Sequence, residues 1–486
     1  MLRHLNTTTM LAAVIALLAV TAGFVNSQSV YSLHPSRSTI LAASRRGPVE
    51  ASNHTRNHPD LNVLAYVTPW HTDGYRLAED YRGKLDTISP VWYTVDAGGD
   101  DYQRYRALGG PPSKDEVDWY KRLSQPAGNL SAVKIMPRFH LAPNDWSSDN
   151  FRHLLSHTIE GMGFAEAIVA EVMVRGYDGV VLETGAAWAL KEPIRLLAER
   201  LHEEKKQLVV VFPPLRGDTP EANEIIMQGV SGLVSIADAI HVMTYDYLGQ
   251  NGAAFEPPAS LKQESILRKD GVRTWGPNTP LDWIERNIEG FNAPLEMPHD
   301  GFAGGFSPTY MDSSSSSGIL SKLLVGVACY GYSYPIGWVD SEGKAQLVTP
   351  PTSPIASKDN NTEAQAASRA KAAEKEERRA LYPVMPAVGS PFLHSELIDV
   401  LTNNKALIRR HDGSGENFID YVKAREDGKT QVRPDGTEAP LAWYRRAIWP
   451  SPATIEARLD VVERNGAGGI ALWDIGQGGD WLLHVL

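Results

Sequence analysis

Eight short apolar runs, each parted from the next by polar or amphipathic chain, constrain these 486 residues more than any other feature. They are Val63–Val67, Ile88–Val95, Val133–Phe139, Gly179–Glu183, Leu208–Phe212, Ala239–Tyr245, Leu323–Ala328 and Gly469–Trp473. Runs this short, apolar throughout, suit strands buried on both faces. Helical spacing of apolar residues marks Lys114–Leu123, Asp149–Val174, Glu192–Lys206, Pro220–Gln228, Leu281–Glu289 and Thr454–Arg464 between them. Eight such repeats predict an α/β fold, a closed (β/α)8 TIM barrel rather than an open doubly wound sheet. No G-x-G-x-x-G follows any run, which removes the usual dinucleotide site.

The barrel expectation covers residues 61–486, with two connections too long for ordinary loops. One, at about 248–321 after strand six, holds Pro257-Pro258 and the Ser313–Ser317 tract. The other, at about 333–450 after strand seven, includes the charged, Ala-rich stretch Ala356–Arg379. Both are candidate partner-binding loops. Residues 28–60 are polar and without hydrophobic period, and read as a flexible lead-in.

The N-terminus carries the compartment signal. Arg3 and His4 precede an apolar run from Met10 to Val25, followed by small residues around Ser27. That is the pattern of a signal peptide over 1–27, with an uncleaved anchor as the alternative. The expected location is therefore outside the cell or in the secretory lumen. Sequons at Asn53, Asn129 and Asn360 agree with a glycoprotein. Cys329 is the only cysteine, so no intrachain disulfide can form. A net charge of −11 argues against nucleic acid or an anionic membrane surface as the partner. His140, His202 and His241 show no paired ligand spacing, and no metal or cofactor is expected. G-x-S-x-G is absent, which disfavours a serine hydrolase.

In a barrel of this kind function gathers at the C-terminal ends of the strands. Strand four reads Tyr177-Asp178-Gly179-Val180-Val181-Leu182-Glu183-Thr184-Gly185. It resembles the D-G-x-D-x-D-x-E signature of glycoside hydrolase family 18, the chitinases. Met243-Thr244-Tyr245-Asp246 is similar to that family's M-x-Y-D, and Gly469-Ile470-Ala471-Leu472-Trp473 to its closing strand. Val63–Trp70, Ile88–Trp92 and Trp473–Gly478 look like the stabilin-interacting chitinase-like subgroup.

The resemblance implies a sugar cleft in which the last acid of strand four protonates the glycosidic oxygen. The preceding acid would orient the substrate's N-acetyl group, which acts as nucleophile. Alternation puts Val181, Glu183 and Gly185 on one face. Only the middle acid is kept, and glycine stands at the proton donor's place. Glu183 lies two residues short, roughly 6–7 Å lower in the strand, unless a bulge at Thr184 lifts the chain. Arg138 on strand three either points into the lumen beside Glu183 or outward to a helix.

Tyr245 and Asp246 are the candidates to hold an N-acetyl group, and Trp473 to stack on a sugar ring. Trp70 and Tyr247, with Trp92, Tyr330 and Tyr332, fall near the same strand ends. Core filling is the plainer role for Trp92 and Tyr330, and a structural hydrogen bond for Asp178. The expected function is a catalytically inactive carbohydrate-binding protein for chitin or N-acetylglucosamine-type oligosaccharides. Two alternatives stand beside it: an active glycosidase using Glu183, or a protein-interaction or sorting factor whose barrel is scaffold.

Overall fold

The computed structural model describes residues 33–486, apart from 46–48, 99–103, 142–145, 218, 248, 250–276, 294–315, 348–388, 404–405, 412–413 and 426–427. The apolar N-terminal run, most of 248–321, and the Ala356–Arg379 stretch with Asn360 lie outside the described residues.

The chain is mixed α/β. Ten strands precede the long second connection: β1 (Asn62–Val67), β2 (Thr87–Pro90), β3 (Tyr93–Asp96), β4 (Arg106–Gly109), β5 (Lys134–Ile135), β6 (Arg138–Leu141), β7 (Gly179–Thr184), β8 (Gln207–Phe212), β9 (Ala239–Val242) and β10 (Leu323–Ala328). Then come β11 (Gly331–Val339), β12 (Ala345–Leu347), β13 (Ser390–Phe392), β14 (Arg409–Arg410), β15 (Asn417–Ala424), β16 (Thr430–Val432), β17 (Glu438–Pro440), β18 (Ala442–Trp449) and β19 (Gly469–Trp473). The helices on the outside are α1 (Asp73–Asp80), α2 (Lys114–Leu123), α3 (Ser148–Ser156), α4 (Thr158–Arg175), α5 (Lys191–Glu203), α6 (Pro220–Leu233), α7 (Leu281–Asn292) and α8 (Pro452–Arg464).

One curled sheet runs β4-β3-β6-β7-β8-β9-β10-β19-β1-β2-β5, parallel except for the β3–β4 hairpin. Two of the expected strands are each broken in two: Ile88–Val95 into β2 and β3, and Val133–Phe139 into β5 and β6. The second break falls at Pro137, which has no N–H to give to a ladder. Its carbonyl still accepts from Val181 at 3.0 Å. Since β2 pairs with β5 and β3 with β6, the two ends of the sheet order meet at strands two and three.

Alternation along the strands divides two cores. Leu64, Tyr66, Met136, Val181, Val209, Val211, Leu324 and Ala471 fill the inside of the sheet. Their neighbours along the strands, among them Val63, Ala65, Val180, Leu182 and Val210, pack under the helices. Three aspartates just before strands tie the lower rim together. Asp86, Asp178 and Asp238 each accept a backbone N–H, from Val63, Ile135 and Leu208 respectively, at 2.8 Å. Asp178 thus has the structural role expected of it.

A second sheet, antiparallel in the order β12-β11-β18-β15-β14 with β13 on β11, lies between β10 and β19 in sequence. Its Phe418 and Ile448 pack with Tyr245, Tyr330, Tyr332 and Tyr334 beside the C-terminal end of β10. It forms a wall there.

Candidate active site

The C-terminal ends of β1, β6, β7, β9 and β19 bring chemistry to one place. β7 keeps unbroken register with β6 up to Leu141–Thr184 and with β8 up to Glu183–Val211, so no bulge lifts it. Glu183 therefore follows Val181 on the inner face, and Gly185 comes next. A Cβ built on Gly185 would meet nothing within 4 Å. The place where the family signature has its last acid is open space.

Glu183 is engaged from the side. The Arg138 Nη1 donates to Glu183 Oε2 at 3.0 Å, and both side chains are largely buried. His140 Nε2 stands 3.6 Å from the other carboxylate oxygen. The Arg138 guanidinium also lies 5.6 Å from the centre of the Trp473 ring, within reach of a cation–π attraction. So the lumen orientation of Arg138 is the one adopted. A carboxylate receiving a guanidinium hydrogen bond is placed as an acceptor, the opposite of what proton donation to a leaving oxygen asks.

Trp473 is half-buried and packs edge-on against Tyr66, 4.9 Å between centroids. Beneath it the Tyr66 hydroxyl and His241 Nδ1 form a buried bond of 2.8 Å. Burial pushes the Tyr66 phenol well up, and the Glu183 charge adds to this. Burial alone pushes His241 down to about 3, so its ring is neutral at physiological pH. In the sequence His241 is an isolated histidine on a strand. Only the folded sheet, which brings β9 and β1 together without pairing them, reveals its partner.

Across the mouth, Tyr245 is buried, and burial raises its phenol far above the ordinary value. Asp246 follows in a left-handed conformation, φ 57°, which costs a non-glycine residue about 1–3 kcal/mol. Surrounding bonds hold it there. Its N–H donates to Asn278 Oδ1 at 2.9 Å, and its carbonyl accepts from Arg216 at 3.1 Å. Its carboxylate accepts from Tyr332 at 2.6 Å and also from the Tyr330 hydroxyl. Burial raises both phenols first, and the neighbouring Asp246 charge raises them further, so they serve as donors.

The structure thus brings together Glu183, Arg138 and Trp473, with Tyr245 and Asp246 opposite. Trp70, after β1, is 60% exposed, with the ring of His71 at 6.4 Å. Tyr247 is not brought to it: the ring is buried and packs against Trp283 at 4.9 Å. Trp92 is core, its indole N–H donating to Tyr75. Sequence reasoning passed over Asn278 and Arg216 because they touch the site through backbone groups, which leave no motif. It also passed over His71, which with Thr68 binds the buried Asp474 carboxylate at 2.9 and 3.0 Å.

A family model for the glycosyl hydrolases family 18 matches residues 62–478. The chain belongs to that family. Solved relatives of the family 18 member are distant in sequence and alike in fold. Against a chitinase from Chromobacterium violaceum the TM-score is 0.53 at 15% identity, covering 87% of this chain and 98% of that one. The Bacillus cereus spore cortex-lytic enzyme SleL gives 0.53 at 12% identity, covering 87% and 74%. The Ostrinia furnacalis Group IV chitinase gives 0.52 at 13% identity, covering 87% and 98%.

Proposed function

We propose that this family 18 chain binds N-acetylglucosamine-type oligosaccharides at the strand ends and does not hydrolyse them. One observation carries the reading: open space at Gly185 where the proton donor belongs, with the neighbouring acid, Glu183, taken up by Arg138. The binding half rests on Trp473 as a stacking face and on Asp246 with its tyrosines as hydrogen-bonding groups. The names of the solved neighbours, chitinases among them, point toward the same class of ligand.

We further propose that the chain works in the secretory lumen or outside the cell, as its N-terminal sequence suggests. Of the two described sequon asparagines, Asn129 is exposed at the tip of the Ala127–Leu130 turn, whereas Asn53 is 7% exposed. Asn129 is then the acceptor to expect.

The test pairs calorimetric titration with chito-oligosaccharides and a hydrolysis assay on the same preparation. Saturable binding with turnover no higher than a buffer blank is expected. Clear turnover that vanishes in Glu183→Gln would replace this reading with an active enzyme using that residue.

A further inference from the structure

On the outside of the sheet, the outer face of α4 departs from what a surface helix should be. An exposed helix normally alternates an apolar face with a polar one. At 100° per residue, the exposed positions after the first residue Thr158, namely Ile159, Met162, Gly163, Glu166, Ala170, Met173 and Val174, span an arc of roughly 120°. Only one of them is charged. The opposite face, with Phe164, Ile168 and Val172, is buried against the barrel. The helix is apolar on both sides.

Thirteen large hydrophobic side chains stand exposed among the described residues, and six of them lie here. They are Ile159, Met162, Met173 and Val174 on α4, Leu155 on α3 and Leu108 on β4, with Val174 78% exposed and Ile159 73%. A concave space of about 950 Å³ runs between β4 and α4, lined by Leu108, Ile159, Gly163, Ala167, Ala170 and Val174 among others. β4 is the edge of its sheet, paired with β3 alone. Large contiguous apolar patches on soluble chains mark interaction sites, and an open edge strand is a ready template for pairing.

We propose that this face joins a second copy of the chain in a two-fold dimer. Charge favours a like partner. Among the described residues, each carboxylate lining the space is already matched within its own chain: Glu160 with Arg104 at 3.7 Å, Glu166 with Arg200 at 2.6 Å and Glu171 with Arg175 at 2.9 Å. Arg106, which also lines the space, is matched by Asp96, and the other described lining side chains are uncharged, so two copies can meet without opposing unpaired charges. Size also fits. At 1.5 Å per residue α4 is ~27 Å long, and with α3 and β4 alongside at ~10 Å spacing the face offers about 700–800 Å². That is about what each partner buries in a standard interface, ~800 Å². Antiparallel pairing of the β4 edge with its own copy obeys the same two-fold symmetry.

The experiment is sedimentation equilibrium of the full chain across the micromolar range, beside two variants. A concentration-dependent dimer is expected for the unaltered protein. Val174→Asp should weaken it at least tenfold, because two-fold symmetry places each new charge in the interface twice. At concentrations too low for the parent to dimerise, its thermal melt should match the parent, since the side chain is exposed in the single copy. Val432→Asp, at an exposed apolar site on β16, should leave the dimer intact. A parent that stays monomeric overturns the proposal, as does a dimer untouched by Val174→Asp. A monomeric parent whose melting point drops in Val174→Asp also overturns it, and would indicate that the chain covers this face itself.

Discussion

The two sides of the candidate site differ in what has been done with their acids. On the β6–β7 side Glu183 is matched by a cation, Arg138, and the position beyond it is bare. On the β9–β10 side Asp246 is matched by neutral donors, two tyrosine hydroxyls, and its backbone is held in a strained conformation by Asn278 and Arg216. A guanidinium cancels a carboxylate's charge, whereas phenols share it and leave it in place. On the proposed reading the difference separates the tasks: the first side would lack a proton donor, and the second would offer a carboxylate for binding.

The largest effect should come from returning what the first side lacks. Gly185→Glu places a carboxyl where a new Cβ meets no neighbour, so the fold should tolerate it. General acid catalysis is typically worth about 10²–10⁴-fold. Hydrolysis of a chromogenic chito-oligosaccharide is expected to rise above the blank, measured by released chromophore. If it stays at the blank in a folded variant, the Arg138–Glu183 pair is itself a block, and the contrast between the two sides is deeper than one missing residue.

Breaking that pair comes next. Removing one partner of a fully buried pair costs about 3–5 kcal/mol, and residual exposure of both groups here lowers that to about 2–3. Arg138→Met should lose that much in chemical denaturation, and Arg138→Met with Glu183→Gln should recover part of it. Additive losses would mean that the two side chains act independently, contrary to the 3.0 Å bond.

On the binding side, Trp473→Ala should weaken oligosaccharide affinity by about 1–3 kcal/mol, the scale of uncovering one large apolar face. Half-buried between Arg138 and Tyr66, it also supports the fold, so melts must accompany the calorimetry. Unchanged affinity in a folded variant would place the ligand elsewhere.

How far these features were legible follows the chemistry of each signal. The strands were readable because burial on both faces leaves continuous apolar runs, and Val181, Glu183 and Gly185 because alternation along a strand is rigid. Pro137 could have predicted one strand break. Nothing in Val91-Trp92 announces the other, where the Val91 N–H bonds to β1 and the Trp92 carbonyl to Gly110, beyond β4. Tyr247 looked like a cleft residue from its motif, but the loop turns at Asp246 and sends the ring to Trp283. The supports of Asp246 were hidden because Asn278 follows a long connection whose length carries no contact information.

The smallest effect concerns the residue that underlies both sides. His241 bonds to Tyr66, which neighbours Glu183, and its ring lies 6.3 Å from that of Tyr245. Burial holds it near 3, whereas in the unfolded chain it would titrate at about 6.5. Above 6.5 the ring is neutral in both states and pH has no leverage. Below 6.5 the unfolded chain takes up the proton and the fold does not, so stability falls as pH drops, by about 1.4 kcal/mol per pH unit. His394, held down by burial to about 4, adds in the same sense, while Glu416, raised by burial, opposes it. The parent curve is therefore a sum, and the difference from a variant isolates one group. His241→Asn should be less stable than the parent at pH 7 but lose about 1 kcal/mol less on going to pH 5.5, read by urea unfolding at each pH. Parallel curves would mean that His241 takes up a proton in the folded chain, and that the floor shared by the two sides is wetter than the buried Tyr66–His241 bond implies.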